Sequence, residues 1–95
     1  MAATAANGVS ITTSITDLFV PATSIGCTSF AVHCTTGSSF SVLVNVEGLH
    51  AAADFYAVHA GETVIFRNGV GQIKTVTAKG SGGTATVDYG VVARL

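Results

Sequence analysis

Alternation of apolar and polar side chains dominates this sequence and is strongest in residues 39–48, SFSVLVNVEG. Successive side chains of a β-strand point to opposite faces, so residues two apart share a face. Leu43 adds an apolar position to the second face, and apolar positions of both parities are typical of a strand covered on both sides. The segment therefore predicts the central strand of a small β-protein. Its predicted inward face consists of Phe40, Val42, Val44 and Val46.

The same period of two predicts further strands on both sides of this segment. Connections rich in Gly, Ser and Thr separate them, and turn residues recur about every 8–12 positions, as in antiparallel sandwiches and barrels. We therefore expect an all-β fold, an antiparallel β-sandwich or jelly-roll-like barrel of seven to eight short strands. The further strands are expected at residues 9–15, 28–35, 55–59, 63–67, 72–79 and 84–92, with a short edge piece at residues 18–20 that Pro21 ends.

Two short connections predict local hairpins. Residues 36–38 separate the strand 28–35 from the central strand, and the Gly-rich residues 80–83 separate the last two strands. Loops of this length commonly join antiparallel neighbours. Residues 48–54 include three consecutive alanines, but the segment is too short for a stable helix and predicts a loop or a single helical turn.

We expect one domain over residues 9–95, preceded by a flexible N-terminal arm over residues 1–8. A chain of 95 residues has the size of a single domain. Residues 1–8 are small and polar and have no periodicity. Arms of this kind often become ordered only on a neighbouring molecule, by adding a strand to the edge of its sheet.

The low content of charged residues is the most unusual feature of the composition. Charged residues make up 9% of the chain, against about 25% in a typical domain, and Thr, Ser, Gly and Ala take their place. Such a surface costs little to desolvate, and it lacks the charges that keep sheet edges apart. It predicts a subunit of an assembly, a homo-oligomer, and the alternative is a small monomer with an uncharged Ser/Thr surface.

Charge and hydropathy argue against nucleic-acid and membrane partners. The formal net charge is −1, and the four Lys and Arg residues are scattered along the chain without stacking aromatics beside them. No apolar run approaches the roughly 20 residues that span a bilayer, and the N-terminus lacks the basic and apolar regions of a signal peptide. We expect a protein made in a cytoplasm and kept there, or released without secretion.

Cysteine spacing does not predict a metal site. Cys27 and Cys34 are seven residues apart, and no CxxC motif is present. In a reducing cytoplasm we expect both to remain thiols and to pack as small apolar side chains. The alternative is a disulfide that closes a short loop.

Histidines raise a second metal hypothesis. His33, His50 and His59 could bind zinc together with Asp54, because zinc accepts nitrogen and carboxylate ligands. These residues lie on different predicted elements and lack ligand spacing. We therefore expect three partly exposed histidines, with no metal and no cofactor.

Catalytic motifs are missing from the sequence. There is no GxSxG, and the glycines at residues 80–83 join two strands instead of opening a helix as a P-loop does. Five acidic residues in a chain without room for a deep cleft do not favour a glycosidase. We expect the protein not to be an enzyme.

Aromatic side chains give the one candidate for ligand contact. Phe55, Phe66 and Tyr89 have parities compatible with the core, whereas Tyr56 has the parity opposite to Phe55. Tyr56 is therefore the aromatic residue that we expect to be exposed. The candidate contact for a ligand or a partner consists of His50, Asp54 and Tyr56.

The second half of the chain resembles a known class of protein. HAGETVIFR at residues 59–67 is followed by GQI at 71–73 and VTAK at 76–79, and the chain closes with GGTATVDYGVVA at 82–93. An AGE…F strand, a GI…V strand and a Gly-rich turn in this order resemble small structural proteins of tailed bacteriophages, over roughly residues 42–95. The resemblance implies a virion component of β-sandwich fold, often trimeric and without catalytic residues. It would be a capsid decoration (cement) protein or a small head or tail accessory protein.

The resulting hypothesis is a decoration protein in the virion, made in the host cytoplasm. It would bind the major capsid protein or other virion proteins and stabilise the shell by burying surface across the joints between capsid subunits. The low charge, the uncharged arm and the missing signal peptide agree with this hypothesis. The alternative is a carbohydrate or cell-surface binding module of a phage head or tail appendage, in which His50, Asp54 and Tyr56 would contact the ligand.

Overall fold

Eight β-strands and no helix make up the part of the chain that the structure describes. The computed structural model describes residues 5–19, 27–47, 54–68 and 73–94. Within these residues no helix is long and apolar enough to cross a membrane. The strands are β1 (Ala5–Ile11), β2 (Thr16–Phe19), β3 (Cys27–Cys34), β4 (Val42–Val46), β5 (Tyr56–Val58), β6 (Thr63–Arg67), β7 (Val76–Gly80) and β8 (Ala85–Arg94).

The strands form two antiparallel four-stranded sheets packed against each other. The first sheet has the strand order β1-β8-β3-β6, and the second has the order β2-β7-β4-β5. The first strand thus pairs with the last, the second with the seventh, the third with the sixth and the fourth with the fifth. This is the order of a long hairpin rolled up into two sheets, the jelly roll. The predicted all-β sandwich of about eight short strands is confirmed.

The core lies between the two sheets and is formed by the apolar parity of each strand. In β4 the side chains of Val42, Val44 and Val46 are fully buried, as the alternation predicts, and β4 is an inner strand of its sheet. The largest fully buried side chain is Phe30 of β3. Its ring centroid lies 5.7 Å from that of Phe19 and 5.9 Å from that of Tyr89.

Phe40 does not join this core, so the prediction for this residue was wrong. The strand begins at Val42, and the ring of Phe40 lies outside it with 40% of the residue exposed. The ring lies over Gly82 and Gly83 in the connection between β7 and β8, where a Cβ on Gly83 would overlap it. Two glycines without side chains leave a shallow place for an aromatic ring, which strand parity in residues 39–48 does not reveal.

Both predicted hairpins were wrong as well. β3 and β4 lie in different sheets, and so do β7 and β8, so each short connection crosses the sandwich. Packed sheets lie about 10 Å apart, a gap that a few residues can span. The crossings are fixed by backbone hydrogen bonds to other connections: the N–H of Gly80 donates to the carbonyl of Thr12 at 2.7 Å, and that of Ser81 donates to the carbonyl of Ser41 at 3.0 Å.

The N-terminal strand begins earlier than its apolar pattern predicts. β1 starts at Ala5, within residues 1–8 where we expected a flexible arm, and it ends at Ile11 instead of residue 15. Ala5 is opposite Gly90 of β8, and a bulge then shifts the register before Val9. The bulge includes Gly8 at φ +65°, a conformation that favours glycine. Residues 5–8 therefore belong to a strand despite their lack of periodicity, because β1 pairs with the edge of β8.

Several expectations fall on residues that the structure does not describe. These are the first four residues of the expected arm, Pro21 with residue 20, residues 48–53 of the expected loop, and residue 72 at the start of the expected strand 72–79. Of that last strand, the described β7 begins at Val76.

Candidate functional site

Two of the three predicted contact residues are described, and both lie at one edge of the second sheet. His50 lies outside the described residues. Asp54 is exposed and comes two residues before Tyr56, the first residue of β5. β5 is the last strand of its sheet, and Tyr56 is 48% exposed. The predicted exposure of Tyr56 is thus confirmed, and its role in binding stays a prediction.

The ring of Tyr56 also has a packing partner across the sandwich. Tyr56 is opposite Val44 in the β4–β5 register, and the side chain of Val44 faces the core. On this core-facing side the ring of Tyr56 forms an edge-to-face pair with the ring of Phe66 in β6. The ring centroids are 5.9 Å apart and the ring planes lie at 88°. Edge-to-face pairs of this kind add about 0.5–1.5 kcal/mol beyond the area they bury. Tyr56 therefore joins the edges of the two sheets while half of its surface remains accessible.

A buried asparagine fixes the backbone beside this edge. Asn45 of β4 is only 7% exposed, and its Nδ2 donates to the carbonyl oxygen of Asp54 at 2.6 Å. A buried amide needs such partners, because an unmet hydrogen bond there costs about 1–3 kcal/mol. The alternation pattern alone did not predict this role for Asn45. The available signal was a polar residue near the end of an otherwise apolar central strand.

Phe55 lies outside the core, contrary to its parity. It is half-buried, and Lys79 of β7 places its Nζ 4.6 Å from the centroid of the Phe55 ring. Such a cation–π contact at a partly exposed site contributes about 0.5–1 kcal/mol. The ring thus supports the outer side of the second sheet, next to the exposed Tyr56.

Each of the two described histidines contacts a hydroxyl group. Nδ1 of His33 lies 2.8 Å from Oγ1 of Thr63, and Nδ1 of His59 lies 2.8 Å from Oγ of Ser41. Across residues 5–19, 27–47, 54–68 and 73–94, no group of three metal-binding side chains is placed to hold an ion. The structure does not bring His33 and His59 together with Asp54.

A hydroxyl, an imidazole and a carboxylate nevertheless share one row of the first sheet. Thr63, His33 and Asp88 are neighbours in register on β6, β3 and β8. A nucleophile–base–acid relay needs the acid on the ring nitrogen that the nucleophile leaves free. Here the Oδ1 of Asp88 accepts a 2.7 Å hydrogen bond from the N–H of Gly8. Asp88 therefore fixes the bulge of β1. The row consists of two separate hydrogen-bonded pairs, Asp88 with Gly8 and His33 with Thr63.

Both cysteines are buried thiols, which confirms that part of the sequence analysis. Cys27 and Cys34 are the first and last residues of β3, and neither is in a disulfide. Seven residues of extended strand separate their Cα atoms by about 23 Å, whereas a disulfide requires less than about 7 Å. A bond between them would require β3 to come apart, so the loop-closing alternative was wrong.

The outer face of the first sheet carries an apolar row that no single strand reveals. Ile65, Ala31, Gly90 and Ala5 are neighbours in register across the four strands. Val92 lies two residues beyond Gly90 along β8 and is 54% exposed. We call these five residues the outer apolar row. The row is not recognisable in the sequence because its members come from four strands that are distant in the chain.

Comparison with known proteins gives no relative: no protein-family model, no curated protein and no solved structure significantly matches the chain.

Proposed function

We propose that this protein is a structural component of a tailed-phage virion, most simply a capsid decoration protein. It binds the outside of the shell and bridges adjacent capsid subunits. The observation that carries the proposal is the outer apolar row, an accessible surface on the two inner strands β8 and β3 and their neighbours. The resemblance of residues 42–95 to small phage structural proteins supports this choice of partner.

The physics of the outer face favours contact with a large, preformed surface. It is built on paired backbone, so little conformational entropy is lost on binding. Its charged side chains are few, with Asp88 near the middle and Arg67 at the β6 edge, so covering the face costs little desolvation. The jelly-roll order also occurs in viral capsid domains and in lectins, which supports the proposal only by analogy.

Binding to purified empty heads of the encoding phage tests the proposal. The wild-type protein should co-sediment with heads and raise their melting temperature, because a ligand of the assembled state stabilises it. Val92→Glu should weaken binding by at least about tenfold, since it places a charge in the apolar contact. Ile15→Glu is the matched control: Ile15 is 61% exposed and lies between β1 and β2, away from the outer face.

Two results would contradict the proposal. One is a wild-type protein that does not associate with the heads at all. The other is equal loss of binding in Val92→Glu and Ile15→Glu, which would mean that added negative charge, and not the outer apolar row, decides binding. Thermal melting of both variants without heads checks that each remains folded.

The exposure of Tyr56 supports a second candidate, a carbohydrate or cell-surface binding module. Tyr56 is 48% exposed as a residue, and exposed aromatic side chains can contact sugars. On a glycan array Tyr56→Ala should lose binding while Tyr56→Phe, which keeps the ring on Phe66, should retain it. Asp54→Asn then tests the neighbouring carboxylate. An array without any signal for the wild-type protein would exclude glycans of the kinds displayed.

A further inference from the structure

We propose that β6 is an edge for strand addition and that two copies of this chain pair through it. The two β6 strands would run antiparallel about a two-fold axis at Ile65 and join the first sheets of both copies into one continuous sheet. This contact does not require shell binding, although Ile65 also belongs to the outer apolar row. It makes a dimer, where the phage resemblance implies a trimer.

The four edge strands of the sandwich differ in how they are protected. Native proteins keep sheet edges from pairing by making them short or by bulges, charges and proline. β1 is interrupted by the bulge before Val9, and β2 has four residues with a bulge before Phe19. β5 has three residues. β6 has five residues and pairs with β3 in an unbroken register, so it is the least protected edge.

The backbone of β6 has its free hydrogen-bonding groups on alternate residues. Cys34 donates to the carbonyl of Glu62 at 3.0 Å, and Asn68 donates to the carbonyl of Thr28 at 3.0 Å, so the even-numbered residues of this strand bond to β3. Antiparallel ladders alternate, which directs the N–H and C=O groups of Thr63, Ile65 and Arg67 to the open side. No strand of the described residues lies on that side.

The strand is complementary to itself in the proposed register. With Ile65 opposite Ile65, the outward groups of both strands meet as hydrogen-bonded pairs and form about six inter-chain hydrogen bonds. The two Ile65 side chains, each 40% exposed in the single chain, become a cross-strand apolar pair. Arg67 faces Thr63 of the second copy, so the strand's one cation does not meet itself.

The charge of the whole chain allows this contact, and its size predicts a weak dimer. Two copies with a formal net charge of −1 each repel little. A single strand pair buries less than the roughly 1,200 Å² of a standard stable interface, so the dimer should form at high micromolar to about millimolar concentration. On a shell that concentrates the protein, the same contact would hold more tightly.

Charge pairing at position 65 tests the proposal by sedimentation equilibrium. The average mass of the wild-type protein should rise from the chain mass of 9.5 kDa toward twice that value, with about half or more of the chains dimeric at about 1 mM. Ile65→Lys and Ile65→Glu should each dimerise at least about tenfold more weakly, because like charges then lie opposite each other. An equimolar mixture of the two variants should dimerise more tightly than either alone.

Ile15→Lys is the matched control, because it adds the same charge at an exposed isoleucine away from β6 and should dimerise like the wild type. Thermal melting checks the fold of each variant. Three results for the wild-type protein would overturn the proposal. It could stay monomeric at about 1 mM, it could form a closed trimer, or it could dimerise no more tightly than Ile65→Lys. The proposal would also be overturned if the equimolar mixture of Ile65→Lys and Ile65→Glu dimerised no more tightly than either variant alone. Val92→Glu should leave dimerisation unchanged, so failure of shell binding and failure of β6 pairing are distinguishable.

Discussion

At the scale of single residues, two glycines of the β7–β8 crossing, one at its start and one within it, have very different surroundings. Gly80 ends β7 where three segments meet: a Cβ there would overlap the carbonyl of Gly83 and lie 3.2 Å from the carbonyl oxygen of Ile11. At Gly82 a Cβ would meet only the Phe40 ring, at an ordinary 3.5 Å. The φ of Gly80 is not positive, so its backbone conformation does not require glycine. The close approach of the neighbouring backbone does.

We expect Gly80→Ala to lower the free energy of unfolding by about 2 kcal/mol or more, because backbone cannot move aside as a flexible side chain can. Gly82→Ala should change it by less than about 1 kcal/mol. Urea unfolding followed by circular dichroism measures both. Equal effects of the two substitutions would mean that the crossing is not packed as described.

Two phenylalanines provide a second contrast at this scale. Phe30 is fully buried between Phe19 and Tyr89, whereas Phe40 is 40% exposed over the glycine turn. Phe30→Ala should cost about 3–5 kcal/mol, which is most of the stability of a small domain. Phe40→Ala should cost about 1 kcal/mol or less, since much of its area is already in water. Should Phe30→Ala fail to fold, Phe30→Leu with Phe40→Leu repeats the comparison.

At the scale of elements, β3 is an inner strand that is paired on both sides and packed into the core. It pairs with β8 on one side and β6 on the other, and its inward residues Phe30, Val32 and Cys34 are fully buried. Buried groups of such inner strands become accessible to solvent only when the whole domain unfolds, whereas edge strands open locally. The two cysteines at its ends report this difference directly.

We therefore expect Cys27 and Cys34 to be unreactive toward a thiol reagent such as DTNB in the native protein. Both should react at the rate of global unfolding, and both should react at once in urea. A Ser10→Cys variant supplies the control, because Ser10 is exposed on β1 and should react promptly. Rapid reaction of Cys27 alone would mean that β3 opens locally at its first residue.

At the scale of the whole molecule, the strand order makes nearly all pairing long-range. β1 at the beginning of the chain pairs with β8 at its end, and β2 pairs with β7. Each such contact closes a long loop before it gains any stabilisation. The connection between β4 and β5 is the one that joins consecutive strands of the same sheet among those described.

We expect slow folding for a chain of this size, with a main phase between about 10 milliseconds and several seconds, as in other domains dominated by non-local strand pairing. Stopped-flow circular dichroism measures this phase, since the chain contains no Trp. Microsecond folding would contradict the strand order. Removing β8 from residue 85 onward should abolish folding, because β1 and β3 would both lose a partner.

The sequence itself determined that the chain forms about eight short strands and, where alternation is strongest in β4 and β8, which side chains face inward. Val42, Val44 and Val46 in β4, and Ala85 and Val87 in β8, are buried as their alternation predicts. At β5 the parity was inverted: Phe55 lies outside the core, and Tyr56 has the core-facing parity but is exposed because β5 is an edge strand. Parity is a property of consecutive residues, so it can be determined from a short window of sequence.

Which strands pair, and in what register, was decided only by the tertiary structure. The two short connections carry the chain across the sandwich, although their sequences equally fit hairpins. The Phe66 partner of Tyr56, the outer apolar row and the open edge of β6 all depend on that choice. Their residues come from strands far apart in the chain, and their neighbours are set by burial of the whole core, which no local pattern encodes.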